Sequence, residues 1–132
     1  MIQRYAIACI TLVAVALPQV ALAIPLQAGT YSNRNRIIDI RSQGDRLCFQ
    51  SFSNNRLVTA SISRDRSNND FYKVNETEER LYQEELGRIL AGPLHQLQPY
   101  ALSNDYSGNV NPLMRECLDD NGRYYEEVQT VG

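Results

Sequence analysis

From Leu57 to Arg64 apolar and polar side chains alternate, and a run of that period buries one face only as a β-strand. Val58, Ala60 and Ile62 fall on one side, Thr59, Ser61 and Ser63 on the other. The same short period, cut by turn residues, recurs along most of the chain. Gly29-Thr30-Tyr31 opens a strand. Arg36 to Arg41 and Arg46 to Phe52 are joined by Ser42-Gln43-Gly44-Asp45, and Ser53-Asn54-Asn55 turns the chain into Leu57. Phe71 to Val74 follows the polar run Asp65 to Asn69. Glu76 to Glu85 carries charges at helical spacing, yet Arg80 to Leu86 alternates, and Gly87 with Arg88 to Ala91 supplies a hairpin partner. After Gly92-Pro93, Leu94 to Ala101 reads as another extended piece.

A single helix signal comes late. Asn111 suits an N-cap, Pro112 fits the first helical position, and Leu113, Met114, Cys117 and Leu118 form an apolar face that Asn121-Gly122 ends. Arg123 to Val128 then reads as a final strand. The expected fold is mainly β, an antiparallel meander forming a small barrel or curled sheet, with one short C-terminal helix.

The first 23 residues have the makings of a secretory signal. Arg4 supplies positive charge, and Ala6 to Leu17 is an uncharged apolar run shorter than the about 20 residues a spanning helix needs. Ala21-Leu22-Ala23 presents small residues for cleavage between Ala23 and Ile24. Residues 1–23 are therefore expected to be removed, and 24–132 to form a single small β domain, secreted or periplasmic. Cys9 lies near the start of the apolar run, whereas a lipid-anchor cysteine sits at its end. No later run has spanning length, so no membrane span is expected after cleavage.

Cleavage leaves two cysteines, Cys48 and Cys117, which in an oxidising compartment are expected to pair. Cys117 lies on the helix's apolar face and Cys48 on the third strand, so the bond ties helix to sheet. A metal or redox pair is the competing reading, but there is no CxxC and His95 is the only histidine.

Net charge is −2, or −3 once Arg4 is removed, and it is unevenly spread. Ile24 to Lys73 carries +4 and Val74 to Gly132 carries −7. The two halves are expected to pair across the sheet; a basic face for an acidic extracytoplasmic polymer is the other possibility. Negative total charge and export argue against nucleic acid as a partner.

No motif assigns chemistry. Asn75-Glu76-Thr77 matches the glycosylation pattern, which matters only in a eukaryotic secretory pathway. Glu84 and Glu85 are adjacent on a strand and point to opposite faces, so they cannot flank one glycosidic bond. Glu84 with Glu76 or Glu126 remains an unsupported pairing. His95 follows a Gly-Pro turn and reads as a loop residue. Asp119-Asp120-Asn121-Gly122 lacks the remaining ligand series of a calcium loop. Seven tyrosines after the cut suit either a recognition surface or cross-strand packing. No catalytic, cofactor-binding or metal-binding residue is assigned, and no cofactor is expected.

Gly29-Thr30-Tyr31, Gly44-Asp45-Arg46-Leu47-Cys48-Phe49, Thr59-Ala60-Ser61-Ile62 and Glu116-Cys117-Leu118, in that order, resemble a group of small secreted proteins of cyanobacterial type. That group implies no assigned activity. The Gly-x-aromatic start, the meander and a late helix before a final strand also look distantly like lipocalins. The chain is shorter than the usual lipocalin, and Tyr31 stands where those proteins carry tryptophan. The expected function is a non-enzymatic extracytoplasmic binding or structural module, a monomer meeting an extracytoplasmic protein or small ligand. The alternative is a small secreted inhibitor of a protease or lysozyme, with Asp65 to Asn69 or Ser103 to Asn111 as the inhibitory loop. A hydrolase is a third option.

Overall fold

A computed structural model describes residues 24–104, 110–120 and 125–128; residues 1–23, the expected leader, and with them the Ala23 side of the expected cleavage site, lie outside them. Among the described residues nine strands run β1 (Gly29–Ser32), β2 (Ile37–Gln43), β3 (Arg46–Ser53), β4 (Arg56–Arg64), β5 (Tyr72–Val74), β6 (Arg80–Glu85), β7 (Arg88–Gly92), β8 (Gln98–Asn104) and β9 (Tyr125–Val128). Helix α1 (Pro112–Asp120) lies between β8 and β9. Strands β1 to β8 pair antiparallel in chain order, and β1 also pairs with β8, so the meander closes into an eight-stranded barrel. Closure leaves no open sheet edge among those eight.

The turns follow from local chemistry. Asn54 and Asn55, both at positive φ (49° and 61°), form a two-residue link between Ser53 and Arg56. Asparagine tolerates that left-handed backbone, and two such residues match the twist of a hairpin. Gly92 answers a steric need, since a Cβ there would lie 2.8 Å from the Gln96 carbonyl oxygen. That close approach lets Leu94–Gln96 form a 3-10 turn, where an extended segment was expected, and the strand starts only at Gln98.

An eight-stranded barrel is just wide enough for its own side chains to fill it. Tyr31, Ile38, Ile40, Phe49, Val74, Leu81 and Ile89 do so, all essentially without solvent exposure. Tyr31, Tyr72 and Tyr100 are core residues, so these three tyrosines serve packing and not a recognition surface. The segment before β1 plugs one end of the barrel. Leu26 joins the core, the Gln27 side-chain oxygen accepts from the Gly87 amide at 2.8 Å, and the Gln27 amide donates to Gln83 Oε1 at 2.9 Å. Tyr31 Oη donates to the Gln27 carbonyl at 2.8 Å.

Helix α1 packs on the outer wall. Along β3, Phe49 faces the interior, so its neighbour Cys48 faces outward and meets Cys117, Met114 and Leu118 in a second apolar cluster. Cys48 and Cys117 form the expected disulfide, 69 residues apart in sequence. Asn111 caps the helix as expected, its Oδ1 accepting from the Met114 amide at 2.9 Å. Its amide also donates to Gln50 Oε1 at 2.7 Å, which satisfies a buried glutamine of the wall. Arg46 donates to the carbonyls of Leu118 and Asp119, closing the helix's C-terminal end. No helix among the described residues is long and apolar enough to cross a membrane.

Asp65 holds the β4–β5 loop. Its Oδ1 accepts from the Ser67 hydroxyl (2.7 Å) and amide (3.0 Å), and its Oδ2 from Arg80 Nε at 2.9 Å. The Ser67 hydroxyl, the Ser67 amide and then Arg80 hold the carboxyl below the ordinary carboxylate range, with burial acting the other way. A lowered folded value means that Asp65 stabilises the fold at neutral pH. That contribution fades as pH falls through the ordinary range toward the lower folded value. Asp65→Asn is therefore expected to lower stability at neutral pH and to flatten the acid limb of the stability profile. Urea midpoints from neutral pH down to about pH 2 would check this; an acid limb identical to wild type would contradict it.

Candidate functional site

The end of the barrel opposite the Gln27 plug is open. A cavity of about 320 Å³ enters it, with Phe49, Ser51, Ser53 and Val58 on its inner wall. The wall follows from register: Ser51 lies between Ile38 of β2 and Val58 of β4, and Ser53 pairs with Arg56. Ser51 is only 6% exposed and makes no side-chain hydrogen bond among the described residues; no fully buried side-chain oxygen there lacks a partner, so its hydroxyl is reached through the cavity. A recessed hydroxyl that spends no bond on the protein offers both its donor and its acceptor to whatever occupies the cavity.

The rim is charged. Arg36, from the β1–β2 loop, grips Glu79 from the β5–β6 turn through two parallel bonds, each 2.7 Å. Arg36 Nε also donates to Tyr100 Oη at 3.1 Å. Burial alone would lower the arginine's pKa, but the Glu79 carboxylate more than offsets it and the net direction is upward. The guanidinium is charged at every ordinary pH, and the pair locks two loops across the mouth. Arg56 pairs with Glu126 of β9 at 3.0 Å, closer to solvent. Thr77, Glu78 and Pro93 complete the lining.

Strand β9 reaches the mouth because β5 has only three residues. Strand β4 gives Ile62–Arg64 to β5 and its other half, Arg56–Thr59, to β9. A larger hollow of about 550 Å³ lies beside the disulfide, against Ser61, Ser63 and Asn75. Its polar groups already answer one another: Asn75 Nδ2 donates to Ser61 Oγ and Asn75 Oδ1 accepts from Ser63 Oγ, both at 2.7 Å. Those bonds give the asparagine of the Asn75-Glu76-Thr77 motif a structural role.

The other groups singled out by sequence are scattered. Glu84 pairs with Arg88 at 2.9 Å on the β6–β7 hairpin, while Glu126 sits at the open mouth. His95 is exposed in the 3-10 turn. Asp119 Oδ1 accepts from Gln43 Nε2 at 3.0 Å; Asn121 and Gly122 lie outside the described residues. Of the two loops considered for inhibition, residues 105–109 of the second also lie outside them. The first is held by Asp65 N–Phe71 O (3.0 Å) and Phe71 N–Asn68 O (3.0 Å) bonds. The opposed charge of the two halves is realised at Arg36–Glu79 and Arg56–Glu126.

The mouth was not assigned from sequence, although β3 carried a sign of it. Its inner face runs Leu47, Phe49, Ser51, Ser53, and the change from apolar to hydroxyl marks where core gives way to cavity. No family model, curated protein or solved structure matches this chain.

Proposed function

We propose that this protein is an extracytoplasmic, non-enzymatic binding module that seats a small molecule in the open mouth of its barrel. The observation that carries the reading is the cavity at the barrel's open end, with the Ser51 hydroxyl, recessed but reached by solvent, spending no bond on the protein among the described residues. The opposite end is plugged, so ligand enters from one side. Around Ser51 the two arginines are each engaged by a carboxylate, which makes the rim a rigid frame and leaves Glu79 and Glu126 tied to cations. Rigid, largely pre-formed clefts are what small-molecule sites require. The leader ending at Ala23 directs the domain to the periplasm or outside, and the Cys48–Cys117 bond suits an oxidising compartment.

Amide-resolved NMR titration with a panel of small polar metabolites tests this reading. Ligands are expected to move the Ser51, Val58 and Thr77 resonances and to leave Gln27 and Gly87 at the plugged end unmoved. A panel that moves none of the mouth residues would refute it. A second reading, a protease or lysozyme inhibitor, draws on the hydrogen-bonded Asp65–Phe71 loop, which presents exposed Arg66 at its tip. It requires stoichiometric loss of trypsin or lysozyme activity on mixing, and an Arg66→Ala change that abolishes the loss.

A further inference from the structure

Resting on that reading of the mouth, we infer that its ligand is a hydroxylated, protonated amine of monosaccharide size, with an amino sugar as the prototype. Size comes first: a cavity of about 320 Å³ stands at the small end of ligand sites, which run from about 300 to 1,000 Å³. Two hydroxyls, on Ser51 and Ser53, are unengaged among the described residues and line it beside the apolar surfaces of Phe49, Val58 and Pro93, while the Thr77 hydroxyl is held by the Val74 carbonyl (2.7 Å) and the Glu79 amide (2.9 Å). A pyranose offers the matching pair, hydroxyls on its edge and C–H groups on its faces.

Charge then selects among such molecules. The lining holds Arg36 and Arg56 against Glu78, Glu79 and Glu126. Glu79 takes Arg36 and Glu126 takes Arg56, so Glu78 is the lining carboxylate without an ion pair among the described residues. An ammonium gains from Glu78, a neutral sugar neither gains nor loses, and a sugar acid meets uncompensated negative charge. Glu78 is exposed, so its effect is a modest preference laid over contacts made deeper at Ser51.

Calorimetric and NMR titration of the mature chain with glucosamine, glucose and glucuronate, at a pH that keeps the amine protonated, tests the inference. Glucosamine is expected to bind tightest and glucuronate weakest, with glucosamine ahead of glucose by about two- to fivefold. Glu78→Gln should bring glucosamine down to the level of glucose. Ser51→Ala should weaken both by about tenfold, the worth of one buried hydrogen bond. Glucuronate equal to or tighter than glucosamine, or an amine preference that survives Glu78→Gln, would overturn the ligand class. If Ser51 and Val58 resonances still moved, the mouth would stand as the site. Absence of any shift there with all three sugars would overturn the amino-sugar inference; absence with the wider metabolite panel would remove the site as well.

Discussion

Replacing Cys48 and Cys117 together with alanine is expected to destabilise the fold by about 4 kcal/mol, the largest loss from any single cross-link in the molecule. The bond closes a loop of 69 residues, and the chain-entropy cost of leaving so long a loop open is of that order. Both cysteines are almost fully buried, at 1% and 3% exposure, so alanine also leaves a void between Met114 and Leu118. Helix α1 has nine residues, too few to persist unaided, so its docking depends on that cluster, the Asn111 cap and Arg46. Thermal denaturation should show a midpoint lower by roughly 15–30 °C for a domain of this size. Reductant should do the same to the wild type and nothing to the variant. A midpoint within a few degrees of wild type would show that the barrel does not depend on the cross-link.

Glu79→Ala is expected to cost about 3 kcal/mol, because it strands a buried cation. The Arg36 side chain is 18% exposed, and a guanidinium keeps its proton at any ordinary pH even without Glu79, so the charge stays and the cost is not escaped. Tyr100 Oη remains as a neutral acceptor and does not replace a carboxylate. The paired change Arg36→Met with Glu79→Leu is expected to recover most of the loss, since two apolar groups of similar volume remove the stranded charge. Chemical denaturation of the three proteins reads this directly. Equal losses in the single and paired variants would mean that the cost lies in packing and not in charge.

The strands, the turn at Asn54-Asn55 and the Asn111–Pro112 start of the helix were legible because period, turn chemistry and capping act within a few residues. Closure was not. Nothing local in Thr30 or Asn104 says that β1 and β8 meet, and a curled sheet with the same alternation would satisfy the same pattern. Nor was the placement of β9 legible. A last strand ordinarily extends a sheet at its edge, but here three-residue β5 leaves half of β4 unpaired and β9 takes the vacancy. The tyrosines illustrate a further limit: composition cannot tell a surface ring from one whose hydroxyl reaches a carbonyl at the barrel end, as Tyr31 does. The mouth depends on which strand positions point inward, so Ser51 gained its meaning only once β3 had a register against both neighbours.

The Cys48–Cys117 pairing and the extracytoplasmic role depend on export with cleavage after Ala23, because only then do two cysteines remain and meet an oxidant. The intact mass of the protein recovered outside the cytoplasm of an expressing bacterium tests that claim most directly. The expected species starts at Ile24, ends at Gly132 and is lighter by two hydrogens than after reduction. A full-length chain held in the cytoplasm, with Cys9 present and its thiols free, would contradict it.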